Sequence, residues 1–127
     1  MGVRAGIDIV EVASVADALE AYGERYLERI FTAGEIEDAS GTDGVDPARL
    51  AARFAAKEAA MKALRVGDRA MSWQAVEVVR DEDAATHLRL SGPAQELADE
   101  QGVVDLAVSI THEGSNAAAV VVAQVGE

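Results

Sequence analysis

The pattern of apolar and polar positions divides the chain into alternating strands and helices. Residues 3 to 12, VRAGIDIVEV, are rich in β-branched side chains in partial alternation, which predicts a strand whose polar members, Asp8 and Glu11, fall near its end. From Ser14 to about Ile30 the apolar positions Val15, Ala18, Leu19, Tyr22, Tyr26 and Ile30 recur at spacings of three and four, the signature of an amphipathic helix, although Gly23 weakens its middle. Thr32 followed by Glu35 has capping-box spacing and predicts a short helix to Ala39. The run SGTDGVD at 40 to 46 reads as a loop. Asp46 and Pro47 then open a helix to about Leu64, because the carboxylate can cap free backbone donors and proline loses no needed hydrogen bond in the first turn. Strands follow at 72 to 79 and 86 to 91, joined by an acidic turn. A helix opens at Gly92-Pro93 and closes at Gly102, and two apolar strands, 106 to 110 and 116 to 125, flank THEGS. Strands and helices in mixed order with two hairpins predict an α+β fold, and 127 residues is the length of one domain.

The central helix carries the residues that call for chemistry. On a helical wheel Leu50, Phe54, Met61 and Leu64 form one apolar stripe, Lys57 projects into that stripe, and Glu58 and Lys62 flank it. An ammonium there must snorkel out or find an anion, since burying it unpaired costs several kcal/mol. Glu58 and Lys62 are also four apart, the spacing of an ordinary surface pair worth a few tenths of a kcal/mol. Asp8, amid apolar strand residues, reads alone as a hydrogen-bonded or capping carboxylate. Together, Asp8 and Glu58 offer two hard oxygen donors to Mg²⁺, which takes one or two carboxylates plus substrate phosphates. That pairing requires the fold to bridge fifty residues of sequence. The segment SITHE at 109 to 113 adds Ser109 and Thr111 on one strand face and then His112. No G-x-S-x-G elbow, P-loop, dinucleotide fingerprint or zinc spacing is present.

Charge narrows the ligand class. The formal charge is −12, which disfavours nucleic acid and anionic membranes as partners. Yet Arg49, Arg53, Lys57, Lys62, Arg65 and Arg69 crowd one segment, a local cationic site suited to a small anionic ligand. Half the residues are apolar but only 4% are aromatic, so the core must pack from small side chains. No cysteine, signal peptide or apolar span is visible in the sequence, and a soluble, cytoplasmic protein is expected.

Taken in order and spacing, GIDIVEV at 6 to 12, RIFTAGE at 29 to 35, RFAAKEAAMKAL at 53 to 64, WQAVEV at 73 to 78 and VSITHEGSNAAAVVV at 108 to 122 resemble the holo-acyl carrier protein synthases, which are 4′-phosphopantetheinyl transferases. The resemblance covers nearly the whole chain. It implies a mixed, mainly antiparallel sheet packed on a long central helix, residues 1 to 127 forming a single domain, and a homotrimer with active sites between subunits. It also implies transfer of 4′-phosphopantetheine from coenzyme A to a serine of an acyl carrier protein, with Mg²⁺ required and 3′,5′-ADP released. By position, Asp8 and Glu58 resemble the metal ligands, and Lys62 the residue that neutralises or protonates the leaving 3′,5′-ADP. Arg53, Lys57, Thr111 and His112 resemble parts of the nucleotide and phosphate cradle. Glu58, directly or through a metal-held water, is the candidate to take the serine proton.

Three features depart from the family's pattern. Ser14 stands where a basic residue usually meets the acidic carrier helix, although Arg25 and Arg29 remain. DEDAATH at 81 to 87 replaces a G-x-P turn. TDGVDP at 42 to 47 and RVGD at 65 to 68 replace a basic and a glycine-rich segment. Retention of Asp8, Glu58 and Lys62 favours an enzyme, serving a dedicated biosynthetic carrier, over a catalytically silent homologue that only binds carriers or assembles.

Overall fold

The computed structural model describes residues 2–126, and its elements pack on one long helix. They are β1 (Gly2–Glu11), α1 (Val12–Tyr22), α2 (Glu24–Ile30), α3 (Ala33–Asp38), β2 (Ser40–Gly41), β3 (Gly44–Val45), α4 (Pro47–Ala63), β4 (Val76–Arg80), β5 (Thr86–Leu90), α5 (Gly92–Glu100), β6 (Val103–Glu113) and β7 (Asn116–Val125). All pairings among the described residues are antiparallel: a three-stranded sheet in the order β1-β7-β6 and the two-stranded ribbons β4-β5 and β2-β3. The fold is α+β, as predicted.

Helix α4 starts as its sequence demands, with the Asp46 side chain accepting from the Ala48 amide at 2.9 Å and proline in the first turn. Its inner surface is almost entirely alanine: Ala51, Ala52, Ala55, Ala56, Ala59, Ala60 and Ala63 are all buried. Small side chains let the sheet approach closely, and the closest approach is at Gly6 of β1. A Cβ built there would collide with the carbonyl oxygen of Ala59 and lie 2.9 Å from the amide nitrogen of Ala63. Gly6 therefore fixes how near β1 lies to α4, and Asp8, two residues along on the same strand face, inherits that position.

Several boundaries differ from the sequence expectation. The helix expected over 14 to 30 is broken by Gly23, whose φ of 54° and ψ of −130° separate α1 from α2. The loop at 40 to 46 contains the short β2-β3 ribbon. Trp73–Ala75 form a single 3₁₀ turn and the strand begins only at Val76, while β6 runs eleven residues rather than five. At Gly23 the cause is the local backbone; in the strands, tertiary pairing extends or shortens what local composition specifies.

The out-of-place lysine finds its anion inside the protein. Lys57 is fully buried, its ammonium 2.8 Å from Glu35 Oε1 and donating to the carbonyls of Trp73 at 2.9 Å and Val76 at 2.7 Å. Its ring neighbour is Phe31, with the centroid 5.7 Å away. Glu35 completes the predicted capping box by accepting from the Thr32 amide at 2.9 Å, and its Oε2 accepts from the Val78 amide at 2.7 Å. Burial pulls the Lys57 ammonium below its ordinary pKa, and the Glu35 charge opposes that pull.

Gly6→Ala should destabilise the fold by about 1–3 kcal/mol through overpacking against backbone that cannot yield, read as a lower denaturation midpoint. Lys57→Met should cost about 3–5 kcal/mol, because it leaves the Glu35 carboxylate buried without its partner. Lys57→Met combined with Glu35→Gln should recover part of that loss in the same assay.

Candidate active site

Two clusters emerge from the predicted residues, and they sit on different sides of the chain. The first is Asp8, Glu58 and Lys62. Strand β1 and helix α4 bring the Asp8 and Glu58 carboxyls within hydrogen-bonding range of each other. Lys62, one turn beyond Glu58, reaches back to β1, donating to Asp8 Oδ1 at 3.2 Å and to the Ile7 carbonyl at 2.9 Å. The surface pair expected between Glu58 and Lys62 is thus replaced by a bridge from helix to strand. An ammonium has three donors, so one is left to face the cavity of about 460 Å³ that Glu58 and Lys62 line with Trp73.

The electrostatics of this cluster are those of a site short of positive charge. Asp8 Oδ2 is buried and meets no donor. Burial raises the Glu58 pKa, the Asp8 charge and its hydrogen bond raise it further, and Lys62 partly offsets them. Two carboxylates at one point, one with an orphaned oxygen, form a donor set that fits a hard divalent cation. Magnesium suits it because that ion takes one or two carboxylates and leaves its other positions to water and phosphate.

The second cluster is Arg53, Thr111 and His112, which line a cavity of about 450 Å³ between the first half of α4, the β4-β5 hairpin and β6. Arg53 is only 4% exposed. Its Nη1 donates to the Arg49 carbonyl at 3.0 Å and its Nε has no acceptor. Arg49 and Arg80 line the same cavity, along with Thr86 and Ser109. Three guanidiniums facing one hollow, with a buried donor unused, make an anion site. Arg80 and Thr86 escaped the sequence reading because their strands fold back onto α4 from far along the chain. The only signal available for Arg49 was its membership of the basic segment.

Within one chain the clusters do not meet. Five residues separate Arg53 from Glu58, which turns them about 140° apart on α4. Asp8 pairs with Ala119 and Ala119 with Ile110, so β7 lies between Asp8 and the strand bearing Thr111 and His112, a gap of about 10 Å. Lys57 joins neither cluster. The expectation that it belongs to the phosphate cradle is corrected: its three donors are consumed by Glu35, Trp73 and Val76 in the core.

Comparison with known proteins gives this geometry its class. A family model described as the 4′-phosphopantetheinyl transferase superfamily matches residues 4–121, and the chain belongs to that superfamily. Its similarity there is to the holo-[acyl-carrier-protein] synthases: that of Chloroflexus aurantiacus is 44% identical over 95% of this chain and 97% of its own. Among solved structures, the Chronobacterium ammoniagenes ACPS-CoA complex superimposes with a TM-score of 0.87 at 28% identity, covering all of both chains. The Helicobacter pylori holo-[acyl-carrier-protein] synthase in complex with coenzyme A gives 0.82 at 30% identity, over 94% of this chain and 99% of the other.

The raised Glu58 pKa has a testable sign. A carboxyl with a higher folded than unfolded pKa weakens the fold as pH rises from the unfolded value, 4.5, through the folded one. In metal-free buffer, Glu58→Gln should therefore be more stable than wild type at pH 8, with the gap narrowing toward pH 4.5. Denaturant titrations at the two pH values measure it, and equal gaps would contradict the assignment.

Proposed function

We propose that this chain transfers 4′-phosphopantetheine from coenzyme A to a serine of an acyl carrier protein, that it requires Mg²⁺, and that it releases 3′,5′-ADP. The observation that carries the reading is the convergence of Asp8 and Glu58 with an orphaned buried oxygen beside Lys62. In the reaction the serine oxygen bonds to the phosphorus next to the pantetheine arm, the bridging bond to the ADP phosphate breaks, and the serine proton leaves. Catalysis of such a displacement rests on positioning and charge neutralisation.

Asp8 and Glu58 would hold the magnesium ion, which when bound neutralises diphosphate charge. Lys62, with one donor uncommitted, is suited to the oxygen that leaves with ADP. Glu58, directly or through a metal-held water, would take the serine proton. The cavity with Arg49, Arg53, Arg80 and His112 suits the nucleotide phosphate.

Because that cavity and the carboxylates diverge within one chain, the reading takes the site as shared between subunits of a homotrimer. An unpartnered apolar surface supports this. On the outer face of the sheet Val3, Ile7 and Ile9 are 70%, 62% and 68% exposed, and Val120 and Val122 continue the patch across β7. Contiguous aliphatic surface of this kind marks an interface. For the carrier, the face of α1 and α2 is mixed: Ser14, Asp17 and Glu20 are exposed, while Arg25 and Arg29 line a groove of about 480 Å³ with Tyr22 and Tyr26. Those two arginines are the cations available to an acidic carrier helix. No described helix is long and apolar enough to cross a membrane.

The test is incubation with coenzyme A, Mg²⁺ and a panel of apo carrier proteins, followed by intact-mass measurement. One added phosphopantetheine on the carrier is expected. Chelation with EDTA should abolish it, Glu58→Gln should lower kcat by about 10²–10⁴-fold, the range for a positioned acid or base, and Lys62→Ala should lower it by about 10²–10³-fold, the range for one charge-stabilising donor. No gain on any carrier would instead favour a silent, carrier-binding homologue.

A further inference from the structure

Arg65 occupies a backbone position that an arginine has no conformational reason to hold. It is the first residue past the cap of α4, with φ of 55°, in the left-handed region. Its amide donates to the Lys62 carbonyl at 3.1 Å and the next amide, of Val66, to the Met61 carbonyl at 3.0 Å. That pair of bonds closes a helix through a left-handed residue, which is usually glycine because a side chain there is strained. Strain kept by a non-glycine residue beside a cleft points to a use for its side chain.

The surroundings identify the use. Arg65 lines the same cavity as Glu58 and Lys62, which Met61 and Trp73 also line. Nearby cations are already engaged: Lys62 with Asp8 and the Ile7 carbonyl, and Arg69 in two bonds to Glu100 at 3.0 and 3.1 Å. Arg65 is exposed and has no ion pair or side-chain hydrogen bond among the described residues. A free guanidinium on this rim is a fork of donors without an acceptor, and the group that fits it is a phosphate or diphosphate.

We propose that Arg65 is a specificity-determining residue for the donor, binding the diphosphate of coenzyme A in the cavity it shares with Glu58 and Lys62. The inference rests on the proposed transferase reading. Glu58, Lys62 and Arg65 line the one cavity that would receive the diphosphate. The arginine holds it equally in substrate and transition state, so it acts on affinity more than on turnover. Attraction of a cation to the carboxyl end of α4 is the alternative account of Arg65. It requires only a contribution to stability and none to ligand affinity.

The two accounts separate on Arg65→Gly, which relieves the strain while removing the charge. By calorimetric titration with coenzyme A in Mg²⁺, this variant should bind about tenfold or more weakly than wild type, with kcat within about threefold and a melting temperature equal or higher. Arg65→Lys should fall between the two. Titration with dephospho-coenzyme A, which keeps the diphosphate but lacks the 3′-phosphate, should lose the same factor. An unchanged coenzyme A affinity in Arg65→Gly overturns the inference. So does a factor that vanishes with dephospho-coenzyme A, which would assign the guanidinium to the 3′-phosphate, and so does a rise confined to the KM for the carrier. A wild-type protein that neither binds coenzyme A nor modifies a carrier would instead remove the functional reading itself.

Discussion

The separation between β1 and α4 is the distance on which the rest of the structure depends. It is set where Gly6 lies against the Ala59 carbonyl, across a helix surface reduced to methyl groups. Asp8 owes its position opposite Glu58 to that contact. So does Lys62, whose bonds to Asp8 and the Ile7 carbonyl tie the last turn of the helix to the strand. A wider gap would leave two isolated carboxylates and a solvated lysine. The alanine-rich composition, which looks at first like a poor core, is what lets backbone approach backbone and hold acidic groups at one point.

That convergence is costly to the fold. Two carboxyls close together, one buried oxygen without a donor and a guanidinium nitrogen in the same state are unfavourable in a fold alone. Structural polar groups in this molecule behave differently. The Lys57–Glu35 pair is fully enclosed and fully bonded. The contrast separates two kinds of buried charge: one is satisfied by the chain itself, and the other keeps polar atoms without a partner among the described residues.

Much of the fold was legible because local signals agreed with it. Asp46-Pro47 opens α4, Thr32 and Glu35 form the predicted capping box, and both long hairpins lie where their strand patterns indicated. Gly23 weakens the predicted helix, but periodicity alone runs straight through it. Only the backbone shows that it turns the chain. Lys57 shows the limit of wheel reasoning: the stripe required the ammonium to snorkel out or find an anion, and residue types alone did not reveal that Glu35, twenty-two positions earlier, would supply one. Arg80 is hidden for a similar reason, since the cavity it shares with Arg49 and Arg53 exists only once the β4-β5 hairpin has folded over α4.

Glu35 also governs where this molecule can breathe. One carboxylate caps α3, neutralises a cation on α4 and receives the first inner amide of β4, so these elements cannot loosen one at a time without stranding a charge in a dry interior. Opening at that end is therefore all-or-none and rare. The tip of the β4-β5 hairpin, which roofs the arginine-lined hollow, is tied differently. There every bond of the turn is local: Asp81 Oδ1 accepts from the Asp83 and Ala85 amides, the Asp81 amide donates to the Ala85 carbonyl and the Ala84 amide to the Asp81 carbonyl, so the tip carries no charge whose burial depends on another element.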